Sequence, residues 1–446
     1  MSVLPASVAC SSTPTNGSAA GGSATASAGS AASNAGAPTG GGASAATPSS
    51  GGVASVGGGA AGAAGGALDS AGTAPVGGGS DAGSGGTAGS SSAGTSAGGF
   101  GGTISGGSSS GGAGGSSAGG RPASCESAKT LKDAGSCTNR LIGVALSKAR
   151  LGEAAFIEAA QQFNYATPEN EMKWDVTEPQ KGTFTFTDGD AIVDFAEAHG
   201  MKVKGHTLVW HNQLPDWLTA LSATALRTAM TDHIAGVMAH YKGKVIAWDV
   251  VNEAYDDDGK LRNSIWGQKL GASFIDDAFT AARAADPNVK LYYNDYDIES
   301  AYAKADSVYE MVKSMKERNI PIDGVGMQMH TRTTDEDPPV PEFVANLERL
   351  LALGVEVTLS EMDVRYCDNG TDAQQKKRFH DIVAACLAHM GCGAITIWGI
   401  SDQYSFLNDR TDLQCAGALP PRPLLWDDDY QKKPSFDGVM DALLGR

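Results

Sequence analysis

The stretch WDVVNEAYDDDG (residues 248–259) begins as an apolar run rich in branched side chains and ends in an amide, a carboxylate and an acidic turn. The apolar part reads as a strand buried on both faces, as in a parallel sheet covered by helices. Asn252 and Glu253 then stand at its C-terminal end. A carboxylate in that position costs desolvation energy unless something uses it. Catalytic groups of a (β/α)₈ barrel project from such strand ends. The fold therefore turns on whether the rest of the chain alternates in the same way.

From residue 141 onward it does. Short apolar runs are LIGVAL (141–146), FNYATP (163–168), VKGHTLVW (203–210), VIAWDVVNE (245–253), KLYYNDYD (290–297), DGVGMQMH (323–330), VEVTLSEMD (355–363) and AITIWGISD (394–402). Amphipathic helical patterns follow them, from GEAAFIEAAQQ to SFDGVMDALLGR. Eight strands, each followed by a helix, predict an α/β chain folded as a (β/α)₈ TIM barrel. The alternative, an open doubly wound sheet, lacks a G-x-G-x-x-G after the first strand.

Residues 1–120 are different material. They are almost entirely Gly, Ala, Ser and Thr with a few Pro, and their only charges are Asp69 and Asp81. So little large apolar surface cannot offset the entropy of ordering the backbone, so a disordered linker or tether is expected there. Residues 121–446 form the expected catalytic domain, large enough for one barrel or two small domains. The net charge is −17, of which the tether holds −2. An acidic surface argues against nucleic acid or an anionic membrane as partner and suits a neutral substrate. The blocks Asp256–Asp258 and Asp427–Asp429 read as solvated loop acids, with calcium binding as the alternative.

Seven cysteines are present and none forms a C-x-x-C pair, so no structural zinc site is expected, and no metal is assigned to the candidate site. Six lie beyond the tether, an even number that suits an exported, disulfide-bonded protein at the cell surface or outside the cell. The local pairs are Cys125–Cys137 and Cys386–Cys392, and Cys367–Cys415 follows by elimination. Cys10 closes MSVLPASVAC, which resembles the end of a bacterial lipoprotein signal and makes a lipid anchor one expectation. Neither a basic start nor an adequate apolar segment precedes it, which leaves two readings, a start further upstream and an incidental Cys10. No apolar run approaches the twenty or so residues of a membrane span.

The strand ends supply the chemistry. Strand two leads into Glu169 and Asn170, and strand three carries His206 and Trp210. Strand four ends in Asn252 and Glu253, strand five in Asn294 and Tyr296, and strand six in Gln328 and His330. Strand seven ends in Glu361 and Asp363, and strand eight holds Trp398. Taken singly, these residues have plainer readings. Asn252–Glu253 suits a capped strand end, Glu361 could pair with Arg365, and Trp210, Trp398 and Phe406 suit a core. A His206/His211 metal site is disfavoured because odd spacing sends the two rings to opposite faces of a strand. Converging on one rim, the set makes a pocket. Two carboxylates facing each other across a pocket are the equipment of glycoside hydrolysis. Glu253, after an apolar run, should have its pKa raised and act as the acid. Glu361, with Asp363 on the same strand face and His330 beside it, should stay ionised through an Asp–His–Glu chain. Asn252 is placed to bond a sugar 2-hydroxyl. Aromatic rings beside polar groups suit sugars, whose C–H faces pack on rings.

The chain resembles glycoside hydrolase family 10, the endo-1,4-β-xylanases. The resemblance spans about residues 140–445 in seven ordered blocks: TPENEMKWDVTEP (167–179), GHTLVWHNQLPDWL (205–218), WDVVNEA (248–254), YNDYDIE (293–299), DGVGMQMH (323–330), TLSEMDVR (358–365) and TIWGISDQYSF (396–406). It implies a retaining enzyme that forms a covalent glycosyl-enzyme on xylan or xylo-oligosaccharides with no cofactor, and a monomer is expected. Glu253 would be the acid/base and Glu361 the nucleophile. Glu169, Asn170 and Lys173 would bind the xylose unit on the non-reducing side. His206, Trp210, Gln213, Asn252, Tyr296, Gln328, His330 and Trp398 would contact sugar around the cleavage point. Cys386–Cys392 matches a disulfide common in the family. The chain departs from the pattern at Phe406, where many members have tryptophan, and at Met329, where a small polar residue is common. A β-1,4-glucanase and a barrel that binds xylan without cleaving it are the competing readings. Both glutamates being intact argues against the second.

Overall fold

The computed structural model describes residues 125, 127–334, 338–367, 369–410, 413 and 420–446. The expected tether over 1–120 lies outside the described residues, as does Cys10.

Among the described residues nine strands form a wholly parallel sheet: β1 (Leu141–Leu146), β2 (Tyr165–Pro168), β3 (Lys202–Val209), β4 (Val245–Asn252), β5 (Lys290–Asp295), β6 (Gly324–Met327), β7 (His330–Arg332), β8 (Glu356–Arg365) and β9 (Cys392–Ile397). β1 pairs with both β2 and β9, and β6 pairs directly with β8, so eight strands close into a ring. β7 is a short extra strand laid against the end of β8. Among the described residues eight helices, from Ala154–Ala160 to Pro434–Leu444, alternate with the ring strands. This is the TIM barrel that the alternating pattern predicts.

Local chemistry sets the element ends. Thr371 and Gln374 form a reciprocal capping box at the helix Asp372–Leu387. Proline in the first turn starts Pro434–Leu444, and Gly445 closes it in the left-handed conformation, φ 66°. The run 323–330 is not one strand. It breaks at Met329, whose φ of 62° is left-handed, and pairing restarts at His330, which faces Asp363 in register.

Between strands and helices runs one contiguous apolar layer, in which Ile142, Leu291, Val325 and Val357 meet helix residues such as Ile192, Ile234, Phe279 and Leu347. Each such side chain, fully buried, stabilises the fold by roughly 1.5–3 kcal/mol. The barrel interior is not apolar, although the strands read as continuous apolar runs. Lys204 Nζ lies 2.7 Å from Asp249 Oδ1, and Tyr292 Oη donates to Glu356 Oε2 at 2.7 Å. Lys204 and Asp249 are buried as a pair, and buried Tyr292 donates to the half-exposed Glu356, so each buried polar group has a partner that offsets its desolvation. Glycines make room for the larger rings. A Cβ at Gly205 would overlap the Trp248 indole, and one at Gly324 would overlap the Tyr292 ring.

Disulfides join Cys125 to Cys137 and Cys386 to Cys392. Cys367 is also disulfide-bonded; its expected partner, Cys415, lies outside the described residues. The acidic blocks are partnered from within the chain. Asp256 and Asp258 pair with Arg262 and Lys260, while Asp427 accepts backbone N–H groups of Asp429 and Gln431. Among the described residues no helix is long and apolar enough to cross a membrane.

Candidate active site

At the C-terminal rim of the barrel lies a cleft of about 850 Å³. Its wall contains eleven of the residues singled out from sequence: Glu169, Asn170, Lys173, His206, Trp210, Gln213, Asn252, Glu253, Glu361, Trp398 and Phe406. Tyr296, Gln328 and His330 stand outside this lining and touch groups that form it, and Asp363 lies one step further back, holding His330.

The two glutamates are joined by side-chain amides. Asn252 Nδ2 donates to Glu253 Oε1 at 3.2 Å, and Gln328 Nε2 donates to the same oxygen at 3.0 Å. Asn294 Nδ2 donates both to Asn252 Oδ1 at 2.9 Å and to Glu361 Oε1 at 2.7 Å. Asn294 Oδ1 in turn accepts from Ser360 Oγ at 2.5 Å, so this buried amide is fully used and its orientation is fixed.

Glu253 sits just beyond β4 in a left-handed conformation, φ 54°. Its own N–H donates to Asn294 O, and its carbonyl accepts from Arg262 Nε, both at 2.9 Å. Arg262 also donates to Tyr255 O and Tyr296 Oη. Burial, reinforced by the Asp295 charge, pushes the Glu253 carboxyl up to about 7.

Glu361, equally buried, is driven the other way. Burial alone would raise it, but the His330 hydrogen bond, the charges of His206 and His330, and the Asn294 amide outweigh that and hold it below the ordinary carboxylate value. His330 Nε2 lies 3.4 Å from Glu361 Oε2, and Nδ1 lies 2.6 Å from Asp363 Oδ2. The Asp–His–Glu chain read from spacing is therefore present. Glu361 takes its partners from His330 and Asn294 rather than through the ion pair with Arg365 that sequence left open.

The remaining wall separates into two parts. Lys173 Nζ donates to Asn170 Oδ1 at 3.0 Å, stands 4.7 Å from the Trp210 ring centre, and Gln213 Nε2 reaches the same Asn170 oxygen at 3.3 Å. Burial pushes neighbouring Glu169 up to about 7. On the other side, Trp398 meets His206 edge to face at 5.4 Å, and Phe406 lies 5.2 Å from the His330 ring.

Several groups in this wall or close behind it escaped the sequence reading. Arg150, after β1, stacks 3.6 Å above Tyr404, after β9, and both line the cleft. Glu171 ties two loops together by accepting from Lys148 N and Asn170 N. His211 is not on the far face of a strand from His206. β3 ends at Val209, and the loop carries His211 Nδ1 to 3.8 Å from Glu253 Oε2. Burial, with the Arg262 and Lys304 charges, lowers its pKa to about 3, so the ring is neutral.

Comparison with known proteins fits this geometry. Residues 130–442 match the sequence model of the family described as Glycosyl hydrolase family 10. The chain belongs to that family. As a family 10 member it is a glycoside hydrolase. It is 40% identical over 326 residues to Endo-1,4-beta-xylanase C of Phanerodontia chrysosporium, a match covering 71% of this chain and 79% of the relative. Among solved structures, xylanase 10B from Thermotoga petrophila in complex with xylobiose superposes with a TM-score of 0.66 at 37% identity, covering 71% of this chain and 97% of that one. A xylotetraose complex of an intracellular xylanase variant from Thermoanaerobacterium saccharolyticum gives 0.64 at 36% identity, covering 69% and 97%.

Proposed function

We propose that this family 10 hydrolase is an endo-1,4-β-xylanase that cleaves internal β-1,4-xylosidic bonds with retention, Glu361 acting as nucleophile and Glu253 as acid/base. The observation that carries the reading is the opposite tuning of two buried carboxyls tied together by Asn252 and Asn294. One is held protonated near neutral pH and the other is held ionised, which is the division of labour that glycoside hydrolysis needs. Glu361 attacks the anomeric carbon while Glu253 gives its proton to the departing glycosidic oxygen. Water then attacks the same anomeric carbon, Glu253 takes a proton from that water, and Glu361 leaves as carboxylate.

The lining residues divide the remaining work in this reading. Glu169, Asn170, Lys173 and Gln213 hold the non-reducing-side xylose through its hydroxyls. Trp210, Trp398 and Phe406 give C–H faces a ring to pack on. His206 and Asn252 bond the sugar at the cleavage point, and Tyr296, Gln328, His330 and Asp363 act through the groups they hold. Residues 1–120 serve as a tether for an exported, monomeric enzyme, a role supported by their composition and by the disulfides of the barrel. Cys10 is the residue at which a lipid would join the tether to a membrane surface. A chain trimmed to start near residue 121 should keep its rate on soluble xylan within tenfold, or the segment does more than tether.

The glutamate roles are tested by two variants. Glu253→Ala should lose xylan cleavage yet still form the glycosyl-enzyme from an aryl glycoside with a good leaving group, and azide should speed its release. Glu361→Ala should lose both reactions. An initial α-anomer from a β-linked substrate, seen by NMR, would exclude retention. Faster release of reducing sugar from carboxymethyl cellulose than from xylan would exclude xylan as the preferred substrate.

A further inference from the structure

Asp175 stands in two walls at once. It lines the main cleft, and with Pro179, Gln180, Lys181, Pro215 and Trp217 it also lines a second, shallower groove of about 460 Å³. The groove is built from the segments after β2 and β3, so it lies on the catalytic rim. It continues the cleft on the side of Asn170, Lys173 and Gln213, because Asp175 N–H donates to Gln213 O at 3.0 Å.

Two features of the groove suit a sugar. Trp217 is half-buried and held from behind, its ring edge-on to Trp174 at 6.3 Å and its Nε1 donating to Glu178 O at 3.4 Å. Its donor is thus spent inward, and Trp217 lines the groove together with Pro179 and Pro215. Asp175 Oδ1 is buried without a hydrogen-bond partner, and Asp175 is the residue of the wall that the two cavities share. Buried polar atoms in folded proteins ordinarily have partners, and a ligand hydroxyl is one that would serve.

We propose that this groove is a distal subsite of the same cleft. It takes xylose units beyond those held by Asn170 and Lys173, one packing its C–H face on Trp217 and one giving a hydroxyl hydrogen to Asp175 Oδ1. The inference rests on the xylan reading. Continuity with the cleft makes the occupant the far end of the bound chain. A pyranose without a hydroxymethyl arm lies flat on a ring, and Gln180 and Lys181 at the edge serve neutral hydroxyls.

The test is calorimetric binding of xylotriose and xylohexaose to the Glu361→Gln protein, with Trp217 intact or changed to Leu. A platform of this kind predicts roughly a two- to tenfold loss of xylohexaose affinity with xylotriose unaffected. Should Trp217→Leu fail to fold, Trp217→Phe, which keeps a smaller ring, should show a lesser loss with the same selectivity for the long sugar. An equal loss on both sugars, or no loss on xylohexaose, overturns the distal subsite and leaves the xylan reading standing. Failure of the Trp217-intact protein to bind either sugar overturns the xylan reading and this inference with it.

Discussion

Changing Asn294 to alanine isolates what the amide link does for the nucleophile. The buried Asn294 Nδ2 is one of the donors that hold Glu361 ionised, at 2.7 Å from its Oε1. A hydrogen bond to a charged group contributes about 1.5–3 kcal/mol, and one pKa unit corresponds to about 1.4 kcal/mol. Its loss should therefore raise the Glu361 pKa by about one to two units. Asn252 loses a partner at the same time, so the acid side loosens as well. The assay is kcat/KM on an aryl β-xylobioside across the acid range, where the profile reports ionisations of the free enzyme. The acid limb should move up by about one to two units, with a further drop of roughly tenfold on the plateau from lost orientation. Gly326→Ala offers an independent route to the same defect, because a Cβ there would collide with Asn294 Oδ1. An acid limb that stays in place in a folded Asn294→Ala protein refutes the assignment of this amide to Glu361.

Other outcomes follow from the same geometry. The wild-type profile should be bell-shaped: the proton on Glu253 is lost as pH rises through about 7, and the Glu361 carboxylate is lost as pH falls through a value under the ordinary 4.5. In Glu253→Ala the basic limb should vanish with an aryl glycoside whose leaving group needs no protonation, and a limb that persists belongs to another group. Phe406→Trp enlarges a cleft wall and adds an N–H donor, so KM or the product pattern should change while the chemical step does not. Unchanged kinetics and products would mean that position 406 does not touch sugar. Arg262→Leu removes the donor to the Glu253 carbonyl and should lower kcat on xylan by roughly 10–100-fold with KM little altered. A purely raised KM would show that Arg262 acts on substrate binding instead.

The barrel was legible because each strand is an apolar run followed by a helix with one apolar face, a pattern carried by neighbouring residues. The catalytic glutamate candidates were legible because a carboxylate closing such a run is chemically conspicuous. The link between them was not. Asn294 lies 42 residues from Asn252 and 67 from Glu361, and only ring closure brings the three together. Arg262 sits in a loop with no periodicity to mark it. Lys204 and Asp249 were hidden in runs that read as apolar, since alternation cannot tell an inward polar pair from noise. His211 was misjudged because the strand was extended past its end at Val209, and a side chain leaves the two-residue rule where the strand stops.

The notched glycines beneath the cleft bear on how this enzyme can change. Trp248 over Gly205 and Tyr292 over Gly324 act as keys in slots, so neighbouring strands cannot slip past one another without forcing a ring into backbone. The height at which each strand end presents its side chain is therefore inherited from residues that never meet substrate. Substitutions in the slots should damage turnover as though they struck the active site, and should gain nothing in exchange. Room for new specificity lies above them, in segments such as 147–150 and 403–410, which border the cleft without setting the alignment of its floor. A library confined to those segments should keep a far larger fraction of active variants than one of equal size aimed at the slots.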